Sequence, residues 1–475
     1  MATDDRCLLT IAEAGRLIKS KALSPIELIE AILARIEALD PLINSFVAVL
    51  SDQALAAARV AEKEIAAGRY LGPLHGIPYG LKDIIDTKDI ATTSCSRLHA
   101  GRIPTDDATC VARLKESGAI LLGKLSCQEF ASNGPCFDLP WPPARNPWNT
   151  NHSPGGSSSG SGAAVAAGLA MAALGTDTGG SIRNPSSFCG LAGIKPTYGR
   201  VSRKGVIANS WTLDHVGPMT WTVEDCALML QAIAGYDPDD PGSADKPAPD
   251  FTSGLEGGIK GLKVGLVRHF YEEDLPANDE VIGAMSAAAQ VFSDLGARVE
   301  EMRLPPMVDY LDPRHIIGAA EMYAVHEQEF REHGANYGEM IRLRIASGAL
   351  ISAADYIQAQ RKRLIMIKKT EKVLANFDVL LTANHYGPAG PLAGALKKAQ
   401  TGLSITGVFN VTGHPALALC NGFSKSGLPL SMQIVGRYFD EPTVFRVGQA
   451  YERATPWRGQ RPTLDRNSTI TRAAN

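Results

Sequence analysis

Apolar positions first fall into a helical rhythm at Ile26, Ile29, Leu33 and Ile36, behind the run Ser24-Pro25-Ile26-Glu27. That run supplies an N-cap hydroxyl, a proline at the first helical position and a glutamate that closes a capping box. It predicts an amphipathic helix over 25–39. An alanine-rich second helix is expected over 51–67, stopped by Gly72-Pro73. Short apolar runs at 119–122, 264–267, 298–302, 379–381, 416–419 and 430–435 predict buried strands. Between them, a capped helix starts at Thr222 and ends by Gly235, 279–295 is helical, and 315–375 is mostly helical with charged faces. The segment 237–249 holds four prolines and reads as a surface loop. The apolar run 163–174 predicts a buried helix. Strands alternate with helices, so the expected fold class is α/β, a twisted mixed sheet in layers with helices. Without an internal repeat or a clean linker, the chain is expected to form one domain over 1–475.

Composition narrows the function classes. The 475 residues carry 47 Lys plus Arg against 50 Asp plus Glu, a net charge of −3. So balanced a chain has no global field for nucleic acid or an anionic membrane. The N-terminus is charged from Asp4 onward and lacks the apolar core of a signal peptide. The run 163–174 is too short for the roughly 20 residues of a membrane span. The eight cysteines show no CxxC spacing, which fits reduced thiols and a cytoplasmic location.

The glycines carry the chemistry. Ten of the 46 fall between residues 153 and 193. A flexible Gly/Ser linker has this local look, but a linker does not alternate glycine turns with apolar elements. Two tight turns, each presenting serines and bare N–H groups, fit better. A phosphate loop needs GxxxxGK[ST]. The nearest match, Gly118 to Leu125, lacks the Ser/Thr, and its middle residues read as a strand. The ten histidines include no HExxH or HxH pair, so no metal site is expected. Serine chemistry is left, centred on Gly156-Ser157-Ser158 and Gly180-Ser181-Ile182. A lysine serves a serine as base when burial holds it neutral. Lys82, behind the apolar run Gly76-Ile-Pro-Tyr-Gly-Leu81, is the candidate.

At these residues the sequence resembles the amidase signature family of serine hydrolases. The matching runs are Gly155-Gly-Ser-Ser-Ser-Gly160, then Gly175-Thr-Asp-Thr-Gly-Gly-Ser181-Ile-Arg183, Cys189-Gly190 and Lys195-Pro-Thr197. Family-like segments also include Gly72 to Pro78, Lys82-Asp83, Thr212 to Pro218 and Gly427 to Leu430, so the resemblance covers most of 8–455. It implies Ser181 as nucleophile, Ser157 as bridging serine after a cis peptide, and Lys82 as base. The N–H groups of Thr178, Gly179, Gly180 and Ser181 match the oxyanion hole. Ser158 and Thr176 are expected to support the relay, and Asp177 and Arg183 to hold the loop.

The resemblance further implies one large α/β domain. It has an N-terminal helical segment (1–70), a catalytic core (72–240), a helical insertion over the substrate site (305–375) and a C-terminal part of the core (376–460). No cofactor or metal is implied, and a homodimer is left open. Substrate contacts are expected from Cys136, Phe137, Trp141, Tyr323 and Tyr386, with Tyr337 a further aromatic candidate. They predict a free-standing hydrolase of a small amide or anilide with an apolar or aryl group. Three alternatives stay open: a carbamate, urethane or ester hydrolase with the same serines; the A subunit of a glutamyl-tRNA(Gln) amidotransferase; and an inactive scaffold on this fold.

Overall fold

A computed structural model of the chain describes residues 3–132, 134–394 and 404–464; within the expected C-terminal part, 395–403 lies outside them. Its centre is one mixed sheet of eleven strands. In chain order these are β1 (Phe46–Val49), β2 (Pro78–Lys82), β3 (Ile120–Leu125), β4 (Ala172–Asp177), β5 (Ala192–Lys195), β6 (His215–Thr220), β7 (Lys263–Leu266), β8 (Arg298–Glu301), β9 (Val379–Ala383), β10 (Ala416–Phe423) and β11 (Pro429–Gly436). They lie in the order β1-β3-β2-β4-β6-β5-β10-β11-β9-β7-β8. β2 runs parallel to both β3 and β4, with Leu81 beside Leu174. β4, β6, β5, β10, β11 and β9 then alternate in direction. Helices cover the sheet on both faces, so the α/β expectation is met, with one large core and three small clusters beside it among the described residues.

The first predicted helix, which follows Thr3–Arg6 and Ile11–Lys19, runs Pro25–Ile43, with Ser24 accepting from the N–H groups of Ile26 and Glu27. It buries Leu28, Ile29, Ile32, Ile36 and Ile43 in one stripe. It outlasts the predicted end because Pro41 falls in its last turn, where few following residues depend on it; Asn44 then closes it in the left-handed region at φ 51°. The helix Val223–Ile233 starts where its signature places it, with Thr222 Oγ1 accepting from Asp225 N.

The buried helix expected over 163–174 is corrected. The structure has a helix over Ser159–Ala166, a turn at Gly168 with φ 70°, and then β4. Every residue of this run is buried, so neither helical nor strand periodicity marks the change. The region 305–375 carries three helices, Met307–His333, Glu339–Gly348 and Ala353–Leu374, the first starting ahead of the helical stretch expected from 315. The loop at 237–249 is pinned by two buried carboxylates: Asp240 binds Arg203 at 2.8 Å, and Asp237 accepts from Ser202 at 2.6 Å. Among the described residues no helix is long and apolar enough to cross a membrane.

Candidate active site

Lys82 is the last residue of β2, and Thr176 lies near the end of the neighbouring parallel strand β4. Parallel pairing brings the two strand ends to one edge of the sheet. Lys82 Nζ lies 2.8 Å from Thr176 Oγ1 and 2.8 Å from Ser157 Oγ. All three side chains are buried. Burial pushes the Lys82 ammonium down to about 8, against the opposing charges of Asp214 and Asp177. The Gly156–Ser157 peptide is cis. A Cβ on Gly156 would lie 2.1 Å from Gln128 Nε2, so that amide fills the space a side chain would take. Gln128 N also donates to Ser157 O at 3.0 Å. Ser158 Oγ accepts from Thr176 N and donates to Thr176 O, tying the serine turn to β4.

Ser181 sits between β4 and the helix Arg183–Cys189. Its turn is closed by the fully buried Asp177 and Arg183, which pair at 2.9 Å. Burial alone would raise the Asp177 carboxyl. The charge and hydrogen bonds of Arg183, with the amide of Asn410, outweigh that and hold it well below the usual carboxylate range. Asp177 also accepts from the N–H groups of Gly180, Ile182 and Arg183. Arg183 is completed by Asn410 Oδ1 and Gln433 Oε1, each at 2.7 Å.

The expected oxyanion donors do not stand alike. Gly180 N–H is donated to Asp177 Oδ1 at 2.7 Å, and Gly179 O accepts from Thr406 Oγ1 at 2.8 Å. The peptide between these two glycines is thus clamped at both ends, which takes Gly180 N–H out of the set. None of the N–H groups of Thr178, Gly179 and Ser181 has an acceptor among the described residues. The Thr178 hydroxyl donates to Asp214, whose other oxygen accepts from Asn209 N and Ser210 N.

The aromatic candidates do not converge. Trp141 and Cys136 line one cavity with Gly155 and Ser159. Phe137 is 55% exposed, and Tyr337 belongs to a separate core with Phe130 and Ile341. Tyr323 donates its hydroxyl to Glu327 on the helix surface. The Tyr386 ring lies tilted by 31° against His385, with ring centres 4.2 Å apart. The lysine of the phosphate-loop near match, Lys124, is buried on β3 and held by Thr92 Oγ1 at 2.9 Å and by Ile85 O. Among the described residues no group of His, Cys, Asp and Glu could hold a metal ion.

Sequence reasoning missed Gln128, Asp214, Thr406, Asn410 and Gln433. Asp214 lies in the family-like run Thr212 to Pro218 but without an assigned role, the other four carry no local motif, and the last three come from positions more than 220 residues beyond the turn they complete.

Comparison with known proteins gives this geometry its family. The model of the Amidase family matches residues 27–445, and the chain belongs to that family of hydrolases acting on C–N bonds. The A subunit of the glutamyl-tRNA(Gln) amidotransferase of Chloroflexus aggregans is 40% identical, covering 96% of this chain and 99% of its own. A structure described as a vestigial protein complex revealing the origins of an s-triazine catabolic enzyme matches with TM-score 0.87. It is 30% identical and covers 94% of this chain and 98% of that one. The peptide amidase of Stenotrophomonas maltophilia matches with TM-score 0.84 at 31% identity, over 96% and 98% of the two chains.

Proposed function

We propose that the chain hydrolyses the C–N bond of a small amide through an acyl-enzyme on Ser181. The observation that carries this is the buried contact of Lys82 Nζ with Ser157 Oγ at 2.8 Å. Neutral Lys82 accepts the Ser157 proton while Ser157 accepts that of Ser181. The Ser181 oxygen adds to the carbonyl carbon, and the oxyanion is met from among the N–H groups of Thr178, Gly179 and Ser181. The relay returns the proton to the leaving nitrogen as the C–N bond breaks. Water then adds to the acyl carbon, and Ser181 leaves with its proton restored. An ester or a carbamate offers the same carbonyl beside a leaving group.

Covalent labelling by a neutral fluorophosphonate tests the proposal. Ser181 takes the label in the native protein, and Lys82→Ala slows it by orders of magnitude while the fold is kept. A native protein that takes no label at Ser181 is the inactive scaffold.

A second setting for the same chemistry is supported by the relatives named as the A subunits of glutamyl-tRNA(Gln) amidotransferases, at 40–42% identity over about 95% of this chain. There the amide is cut inside an assembly that uses the ammonia. Purification from the native cell separates the two settings: a stable complex whose partners stimulate amide cleavage favours the amidotransferase, and a lone chain with full turnover favours the free-standing hydrolase.

A further inference from the structure

Arg314, in the helix Met307–His333, lies against the turn that carries Ser181. A Cβ on Gly179 would fall 1.8 Å from its Nη2, and one on Gly407 would fall 3.3 Å from its Nε. Two glycines thus leave the slot that this guanidinium fills, and the first directly precedes the clamped peptide of the turn. Nε is buried without a hydrogen-bond partner. Among the described residues no carboxylate pairs with Arg314. Asp177, the carboxylate whose charge acts on it, is already occupied by Arg183, Asn410 and three backbone N–H groups. Arg344 adds a second positive charge to its surroundings, and burial with that charge brings Arg314 down to about 10. The side chain still keeps part of its surface open.

A guanidinium in such a place is costly unless something negative meets it. Other buried arginines of this chain are answered: Arg183 has Asp177, and Arg200 has Glu441 at 3.3 Å. The planar fork of an arginine matches the two oxygens of a carboxylate. Resting on the amide-hydrolase proposal above, we infer that Arg314 is a specificity residue that binds a carboxylate on the substrate. The favoured amide is then a small acid such as a dicarboxylic half-amide or an N-acyl amino acid. An aryl or purely apolar amide does not answer this charge.

The test uses the full chain and the rate at which a neutral fluorophosphonate labels Ser181. Labelling is measured with succinate, malonate or N-acetylglycine, and with their neutral counterparts succinamide, malonamide and N-acetylglycinamide. At least one carboxylate is expected to protect on the order of 100-fold more tightly than its neutral partner, the scale of a charged hydrogen-bonded pair. In Arg314→Gln the two members of that pair protect within about threefold of each other, and Arg314→Lys keeps part of the difference. Protection by succinate or malonate places the carboxylate on the acyl side, and protection by N-acetylglycine places it on the leaving side. A labelled protein that no carboxylate protects better than its neutral partner overturns the inference, as does a preference that survives in Arg314→Gln. Absence of labelling in the native protein instead removes the amide-hydrolase proposal itself.

Discussion

Thr176 Oγ1 lies 2.8 Å from Lys82 Nζ, the same distance as Ser157 Oγ on the other side. The ammonium form donates to both hydroxyls. The neutral amine has one lone pair to offer Ser157 and can still donate to Thr176. With burial setting Lys82 near 8, kcat/KM for an uncharged amide is expected to rise with pH through about 8 and level off above it. A pH profile checks this, and a profile flat from 6 to 9 would remove Lys82 as the base. Lys82→Arg, charged at every such pH, is expected to be inactive throughout.

Thr176→Val keeps the side-chain shape and removes an acceptor that favours the charged lysine. The midpoint of the pH profile is therefore expected to move to lower pH. Turnover should fall about tenfold, because the amine is less well aimed at Ser157; one charged hydrogen bond is worth about 1.5–3 kcal/mol. A midpoint that moves upward contradicts this role for Thr176.

Removing Arg183 strands the Asp177 carboxylate in the interior. Arg183→Met is expected to lose about 3–5 kcal/mol of stability, the usual cost of breaking a buried pair, read by urea unfolding. The Asp177 carboxyl is held below its ordinary value, so its contribution is full at neutral pH and is lost only in strong acid.

Three other buried carboxyls act in the opposite sense. Burial raises Asp83 and Asp225 to about 6 and Glu452 to about 7. Their stabilisation is complete below the ordinary carboxylate range and fades as pH rises through 6 to 7. Glu452 accepts from Val223 N at 3.1 Å, a bond that an amide oxygen can keep. Glu452→Gln is expected to flatten the decline in unfolding free energy between pH 5 and 8. An unchanged slope would assign the decline to the other carboxyls that burial raises, Asp83, Asp225 and Asp214 among them.

Gly180 has φ 125°, and a Cβ there would lie 2.2 Å from Thr406 Oγ1. Gly180→Ala is expected to stay folded but to lose about 1–3 kcal/mol. Its loss of turnover should be larger in proportion, since the clamped peptide between residues 179 and 180 must shift. Calorimetry beside initial rates separates the two effects.

Local signals placed much of this in the sequence. The capping box at Ser24 fixed one helix start, and Thr222 fixed another. The glycine and serine runs located the two turns, and the apolar stretch before Lys82 predicted its burial. What escaped was set at long range. The run 163–174 hides a helix, a turn and a strand because all of it is buried, which erases any period. Gly180 N–H has the look of a free donor in the sequence, yet Asp177 takes it in the fold. Among the aromatic candidates Trp141 lines a cavity beside Gly155 while Tyr323 and Tyr337 lie apart from it, whereas Arg314, more than a hundred residues from the turn, lies against Gly179. No spacing rule connects those positions.

The closure of Asp177 and Arg183 by Asn410 also bears on how the protein is made. Lys82, Ser157 and Ser181 all leave the ribosome early, yet Asn410 follows Arg183 by 227 residues and Gln433 follows it by 250. A nascent chain therefore carries every reactive side chain for about half of its synthesis without the groups that shape the turn. Fragments ending before residue 410 are expected to be inert toward the fluorophosphonate, so the cell meets this nucleophile only once the chain is nearly whole.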